Sequence, residues 1–315
     1  MRVPIVFAID RNVVVQCGVT ITSLLMNAKP DTFYDFFILC EEARLPQGER
    51  DRLSDAFRDH PQCRIRFIEC DADYSGIDIN GTFITHATYY RLSIPDLLPE
   101  EDRVIYADID MIFQRDLGDI YRISMASGEW IAAALDLAID HFRFKADFPA
   151  KIGKTPADYF NAGFLVMNLK AMRENGVVKL FQAHLDKKYD QNDQDILNIV
   201  CKSHTQFLPT CFNFQMNHFS NYMWKRKGTD IGFDELFKSA TLHYTFKNKP
   251  WNSLDCVAYD TWWHYYKMSP FFDTMVYFNR QRDQIEAFRN DYRNRTNKQL
   301  FLRILANIKR KLFKK

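Results

Sequence analysis

The first hydrophobic run, Arg2 to Ile9 (Arg-Val-Pro-Ile-Val-Phe-Ala-Ile), is short, apolar and partly β-branched, and it stops at Asp10-Arg11-Asn12. That is the pattern of a buried strand. A helix is expected from about Val14 to Asn27. Tyr34 to Cys40 repeats the strand pattern, Pro46 to Arg58 reads as a charged amphipathic helix, and Arg64 to Cys70 alternates in polarity as a third strand. This β-α-β-α-β order predicts a Rossmann-like α/β fold, a mainly parallel sheet with helices on its faces, in which ligands gather at the carboxyl ends of strands. Farther along, Thr85 to Leu98 is helix-like and Arg103 to Ala107 strand-like. Strands are also expected at Trp130 to Leu135, Ala162 to Asn168 and Thr241 to Tyr244, with helices from about Ala171 to Lys187 and from Gln194 to Lys202. Beyond Trp251 the pattern is aromatic and irregular, then helical to the end. The expected division is a body of residues 1–265 and a helical extension of residues 266–315.

Composition narrows this picture. A chain of 315 residues with 47% hydrophobic content can bury a substantial core. Apolar runs such as Ile131 to Leu135 fall far below the roughly 18 residues of a membrane span. The N-terminus, Met1-Arg2-Val3-Pro4, enters a strand-like run at once, with no apolar leader, so a cytoplasmic location is expected. Seven cysteines without a Cys-x-x-Cys pair read as reduced core thiols. The net charge of +2 conceals an asymmetry, because the residues after Asp291 contain nine Lys or Arg and no acid. Such a tail meets something anionic, a membrane surface or nucleic acid, and the body gives no sign of a nucleic-acid groove. In a helix, Phe301, Ile304, Leu305, Ile308 and Leu312 form one stripe flanked by Lys309, Arg310, Lys311, Lys314 and Lys315. A basic amphipathic helix of this kind lies in the headgroup layer of an anionic membrane; the blander reading is a packed helix with a frayed basic end.

Candidate chemistry follows the strands. Asp108-Ile109-Asp110 comes directly after Val-Ile-Tyr-Ala, and carboxylates spaced i, i+2 at a strand end project to the same side. That arrangement suits Mg²⁺ or Mn²⁺ shared with substrate phosphates, although paired acids in a loop are more often solvated or capping a helix. His243 lies far downstream, six residues before Lys249-Pro250-Trp251. Alone it would read as an ordinary core or surface histidine. With this Lys it offers a nitrogen ligand beside an ammonium that neutralises a leaving phosphate.

Six segments in order, Ile5 to Asn12, Tyr89 to Leu92, Tyr106 to Asp110, Tyr159 to Phe164, Asp193 to Asn198 and His243 to Trp251, resemble the retaining glycosyltransferases of family 8, especially the bacterial lipopolysaccharide galactosyl- and glucosyltransferases. The resemblance covers roughly residues 3 to 252. It implies a GT-A type nucleotide-sugar fold, a UDP-hexose donor and a glycolipid or oligosaccharide acceptor such as a lipopolysaccharide core. By the same resemblance, Ala8, Asp10 and Asn12 would hold uracil and ribose. Asp108 and Asp110, around Ile109, with His243 would bind Mn²⁺ (or Mg²⁺), and Lys249 would meet the diphosphate. Arg91, Asp136, Asn161, Ala162, Asp193 and Gln194 would surround the donor sugar, with Asp193 and Gln194 as the catalytic pair. Plainer roles stand beside these: a helix cap for Asp10 and Asp193, a surface ion pair for Arg91, a turn for Asn161 and a solvent-facing Gln194.

Two positions depart from the family pattern. Val13 stands where an aromatic residue commonly follows Asn12, and Phe246 stands where a Gly is usual three residues after His243. Retention requires attack on the face that UDP leaves. Gln194 is the positional candidate for a nucleophile, and because an amide is a poor one, same-face attack by the acceptor hydroxyl is preferred. A metal-dependent nucleotidyltransferase or phosphoesterase would show a Gly-rich loop after the first strand or a denser acid cluster, and Asp10-Arg11-Asn12-Val13 has neither. A non-catalytic nucleotide-binding membrane scaffold is the remaining alternative. The expected location is the inner face of the cytoplasmic membrane, held peripherally through the tail, with no nucleic-acid partner.

Overall fold

The computed structural model describes residues 1–71, 74, 76–77, 85–126, 128–137, 148–155, 157–216, 239–254 and 256–312; the side chains of 148, 149, 288, 291, 292, 295, 297 and 300–312 lie outside this description. The chain divides into two units, Met1–Phe271 and Phe272–Lys315.

The first unit is built on ten described strands: β1 (Arg2–Ala8), β2 (Phe33–Cys40), β3 (Cys63–Glu69), β4 (Val104–Ala107), β5 (Met111–Phe113), β6 (Ile131–Leu135), β7 (Phe160–Met167), β8 (Thr205–Leu208), β9 (Phe214–Gln215) and β10 (Thr241–His243). Its helices are α1 (Val14–Met26), α2 (Gln47–Phe57), α3 (Ile94–Leu97), α4 (Gly118–Tyr121), α5 (Phe148–Lys151), α6 (Leu169–Glu174), α7 (Val177–Gln182), α8 (Asp193–Val200) and α9 (Tyr259–Met268). Seven strands form a sheet in the order β3-β2-β1-β4-β7-β6-β8. β1 pairs in parallel with β2 and β4, β2 with β3, and β6 with β8, whereas β7 runs antiparallel to β4 and β6. The sheet is mainly parallel and flanked by helices, as the sequence pattern predicts.

Alternation along the strands creates two cores. Val3, Ile5 and Phe7 of β1 and Tyr34, Phe36 and Ile38 of β2 pack with α1 and with Leu53 and Phe57 of α2. Val6, Phe37, Leu39, Val104 and Tyr106 face the other side, against Tyr89, Tyr90, Leu92, Met172, Phe181 and Leu197. All seven cysteines are buried, and none forms a disulfide. Asp35 on β2 is fully buried yet charged, because Arg64 (2.8 Å), Arg66 and Arg2 (2.7 Å) converge on its carboxylate.

The two antiparallel pairings set up the site. Because β7 returns along β4, its Asn161-Ala162-Gly163 start meets the carboxyl end of β4: Ala107 pairs with Phe164, and the Asp108 N–H donates to the Gly163 carbonyl at 2.8 Å. β6 ends beside the same corner, where the Asp136 N–H donates to the Tyr159 carbonyl at 3.0 Å. β5, β10 and β9 form a second sheet in which His243 is registered with Met111 on one side and Gln215 on the other.

Several expected elements differ in detail. Thr85 to Leu98 is a 3-10 helix over His86–Ser93 followed by the short α3, where Pro95 occupies an early turn and contributes no N–H. The helix expected from Ala171 to Lys187 is two helices, α6 and α7, broken at Gly176, whose φ of 61° is left-handed. The short strands β5, β8 and β9 have no counterpart in the hydrophobic pattern read from the sequence. The second unit is dominated by α10 (Thr274–Leu312). The proposed stripe of Phe301, Ile304, Leu305, Ile308 and Leu312 and the charges of Lys309, Arg310 and Lys311 lie outside the described side chains, and Lys314 and Lys315 outside the described residues. Among the described residues no helix is long and apolar enough to cross a membrane.

Candidate active site

Asp108 and Asp110 lie just past β4, and β10 delivers His243 to them because Leu242 and His243 pair with Ile112 and Met111. One ligand atom from each of these three side chains lies within 4.8 Å of the others. His243 Nε2 is 3.2 Å from Asp110 Oδ1 and 3.8 Å from Asp108 Oδ2. Asp110 Oδ1 is buried and accepts no hydrogen bond, while Oδ2 is paired with the Lys249 ammonium. Burial alone would raise the Asp110 pKa, but the Lys249 ammonium holds it well below the usual carboxylate range. Asp108 is steadied by the Tyr106 hydroxyl, which donates to Oδ1 at 2.7 Å, and by Arg91, 3.3 Å away. An anionic, unsatisfied oxygen beside an imidazole nitrogen is a donor set that fits a hard or borderline divalent cation.

Arg91 is no surface residue. It is 5% exposed, its guanidinium lies 4.5 Å above the Tyr106 ring, and its Nη1 donates to the Ala162 carbonyl at 2.6 Å. Burial opposes its charge, but Asp108 and Asp193 hold its pKa above the usual value. Asp193 Oδ2 lies 2.8 Å from Arg91 Nε, though that N–H points to the Thr88 carbonyl 2.9 Å away. Thr88 Oγ1 donates to the other Asp193 oxygen at 2.9 Å. Burial lifts the Asp193 pKa to about 6 against the pull of Arg91. The carboxylate, at the first position of α8, is thus turned toward Thr88 and Arg91.

A second polar group surrounds Asp136, which is 7% exposed. Its Oδ2 accepts from Asn161 Nδ2 and from Gln194 Nε2, each at 3.0 Å. Gln194 also accepts from the Ala162 N–H at 3.0 Å and donates to the Tyr159 hydroxyl at 3.1 Å, which in turn donates to Asp195 at 2.6 Å. Gln194 is therefore held inside the network instead of facing solvent. Asn161 bridges the two groups, since its Oδ1 accepts from the Gly163 N–H at 3.0 Å and from Asn213 Nδ2 at 2.8 Å.

A sequence model of glycosyl transferase family 8 matches residues 4–255. The chain belongs to this family. Among proteins of known role, it is 26% identical over 281 residues to the lipopolysaccharide 1,3-galactosyltransferase of Salmonella typhimurium, a match spanning 85% of this chain and 76% of that protein. It is 28% identical over 220 residues to a putative glycosyltransferase of Haemophilus influenzae, covering 67% of this chain and 62% of that protein's length. Of solved structures, the galactosyltransferase LgtC, in complex with donor and acceptor sugar analogs, superposes with a TM-score of 0.70 at 26% identity over 86% of this chain and 98% of its own. The GT-A type architecture and the family expected from the motifs are both established by these matches.

The remaining expected positions lie at the end of β1. Ala8 closes that strand, whose Val6 pairs with Tyr106, two residues before Asp108. Asp10 is buried, and its Oδ1 accepts from the Asn12 N–H at 2.8 Å, so it caps the turn Arg11–Val13; Asn12 is exposed. Ile109, between the two acids, contributes its carbonyl to Thr20 Oγ1 at 2.7 Å. Phe246 occupies a left-handed backbone position, φ 62°, which explains why a Gly is usual there. Sequence reading passed over Thr88, Tyr106, Tyr159, Gly163, Asp195 and Asn213. Most lie inside the quoted motifs, where a neighbour drew the attention, whereas Asn213 carries no signal in the sequence at all.

Proposed function

We propose that this protein is a retaining hexosyltransferase that moves galactose or glucose from a UDP-sugar to a hydroxyl of a cell-surface glycolipid such as a lipopolysaccharide core. The observation that carries this reading is the meeting of Asp108, Asp110 and His243 at the carboxyl end of β4, with Asp110 Oδ1 buried and unsatisfied, in a chain of glycosyl transferase family 8. The names of the relatives support the substrate class, since a lipopolysaccharide 1,3-galactosyltransferase and the lipopolysaccharide 1,2-glucosyltransferase of Escherichia coli, 25% identical over 254 residues, stand among them.

In this reading Asp108, Asp110 and His243 hold Mn²⁺ (or Mg²⁺), which when bound neutralises charge developing on the departing diphosphate. Lys249, parked on Asp110 in this structure, turns its ammonium to the diphosphate when the donor binds. Ala8, Asp10 and Asn12 receive the nucleoside, and Arg91, Asp136, Asn161, Ala162, Asp193 and Gln194 border the hexose. The Gln194 carbonyl oxygen already accepts from the Ala162 N–H, which makes a poor nucleophile poorer and favours same-face attack by the acceptor hydroxyl. Residues 1–265 form the catalytic body, and residues 266–315 with their basic end attach it to the inner face of the cytoplasmic membrane, next to a lipid-borne acceptor.

The test is UDP release from a panel of UDP-sugars with Mn²⁺, followed by acceptor screening. Asp108→Asn and Asp110→Asn are expected to lose about 10²-fold or more in turnover, the order found when one preorganised charge-stabilising group is removed. Near-normal turnover in both, with the fold intact, would sink the proposal.

A further inference from the structure

Asn213 is wholly buried between the 3-10 turn Thr210–Phe212 and β9, and it stands between the imidazole of His243 and the amide of Asn161. The orientation of every group in this chain follows from one backbone donor. The Gly163 N–H points at Asn161, 3.0 Å away, and can only donate, so the Asn161 atom that meets it is the carbonyl oxygen. Its Nδ2 then faces the Asp136 carboxylate at 3.0 Å, an acceptor, which agrees. Asn213 reaches the same Asn161 oxygen at 2.8 Å, so the atom that does so is Nδ2. The other end of that amide, Oδ1, is therefore what lies 2.8 Å from His243 Nδ1. An amide oxygen accepts, hence Nδ1 carries a proton, and in the neutral ring Nε2 keeps its lone pair. Nε2 is the ring nitrogen on the side of the acidic pair, 3.2 Å from Asp110 Oδ1 and 3.8 Å from Asp108 Oδ2, and that Asp110 oxygen is buried without a hydrogen-bond partner.

We infer that Asn213 is a positioning residue that fixes His243 in the Nδ1–H tautomer and so presents Nε2 as a ready ligand to a divalent cation between Asp108 and Asp110. Nothing in the chain Asp136–Asn161–Asn213–His243 needs to reorganise for Nε2 to bind, because each amide is already satisfied at both ends. The hydrogen-bond direction stands on geometry alone; its benefit for metal affinity rests on the metal-dependent reading proposed above.

Two measurements on the full chain separate these parts. Long-range ¹H–¹⁵N correlation spectra of histidine-labelled, metal-free protein report the ring tautomer, with the His243 signal assigned by its loss in His243→Gln. The wild type is expected in the Nδ1–H form; an Nε2–H ring would overturn the inference. Asn213→Leu, which keeps bulk but offers no acceptor, should release the tautomer and weaken Mn²⁺ binding, followed by calorimetry or electron paramagnetic resonance, by about 10- to 100-fold. Asn213→Asp still accepts from Nδ1 but opposes the Asn161 oxygen with a second acceptor, so it should lose stability and yet keep the proton on Nδ1. If Asn213→Leu keeps both the wild-type tautomer and the wild-type Mn²⁺ affinity, or if Asn213→Asp loses the Nδ1 proton, Asn213 has no such role. Absence of Mn²⁺ binding in the wild type, with a tautomer that still depends on Asn213, would support the positioning role while overturning the metal-dependent reading.

Discussion

Gly163→Ala is a one-carbon change that should strike the acidic site through His243. A Cβ at Gly163 would lie 2.3 Å from His243 Cε1, 2.9 Å from its Nδ1 and 3.0 Å from Asn161 Oδ1. Gly163 lies within β7, so the backbone itself accepts alanine. Carbon atoms pack no closer than about 3.5 Å, which leaves a deficit of about 1.2 Å for the ring to make up. His243 is 3% exposed and Asn213 holds its Nδ1, so the ring cannot swing into solvent. Overpacking of this kind costs about 1–3 kcal/mol. Metal–ligand distances tolerate only about 0.2 Å, so a ring displaced by several times that amount should cost Mn²⁺ affinity at least about tenfold. The assay is a Mn²⁺ titration with thermal or urea unfolding of Gly163→Ala, His243→Ala and the double variant. If the clash with the imidazole is the cause, adding Gly163→Ala to His243→Ala should cost at least about 1 kcal/mol less than adding it to the wild type. Additive losses, or wild-type metal affinity in Gly163→Ala, would refute the steric argument.

Three further outcomes follow from the same geometry. The folded-state pKa of Asp193 is raised from 3.8 to about 6, so its contribution to stability is present below the unfolded value and lost as pH rises through about 6; relative to Asp193→Asn, the wild type should lose up to about 3 kcal/mol in urea unfolding between pH 4 and pH 7, and a constant difference would contradict it. Phe246→Gly should leave stability unchanged or raise it by about 1 kcal/mol, because Phe246 is 59% exposed at φ 62°, a conformation costly to all but glycine; a loss larger than that would show that the ring carries more than the strain. Gln194→Ala should lower turnover with UDP affinity nearly intact, whereas Asp10→Ala should lower UDP affinity and, having removed the cap on Asn12, also cost about 1 kcal/mol of stability; the reverse pattern in isothermal titration with UDP would overturn that division.

The architecture was legible wherever one physical signal dominated. β1, β2, β3 and α1 were anticipated to within a residue or two, because long apolar or alternating runs end there at polar residues that stop them. Legibility failed where tertiary pairing decides the outcome. Met111–Phe113, Thr205–Leu208 and Phe214–Gln215 are too short to show a period, and they are strands only because neighbours pair with them. The break at Gly176 had a visible residue behind it, but an isolated Gly inside a helical pattern is usually tolerated, so its left-handed turn could be read only from the structure.

At the site, the sequence supplied the charged residues and withheld the neutral ones that orient them. Asp108, Asp110, Lys249 and His243 stand out because charge at a strand end, or a histidine before Lys-Pro-Trp, calls for a reason. Gly163 and Asn213 call for none. The first matters for an atom it lacks, the second for which end of its amide faces the ring, and neither property has a trace in residue type or spacing. Yet these two govern whether the charged residues can act together. A histidine ring with its proton on Nε2 would aim a donor at Asp110 and satisfy the orphaned oxygen, leaving the acidic pair a closed salt-bridge network around Arg91 and Lys249. With the proton on Nδ1 the same atoms leave an anionic oxygen and a nitrogen lone pair 3.2 Å apart, two acceptors whose mutual repulsion a cation would relieve. The backbone N–H of Gly163, through two amides, is what selects the second state.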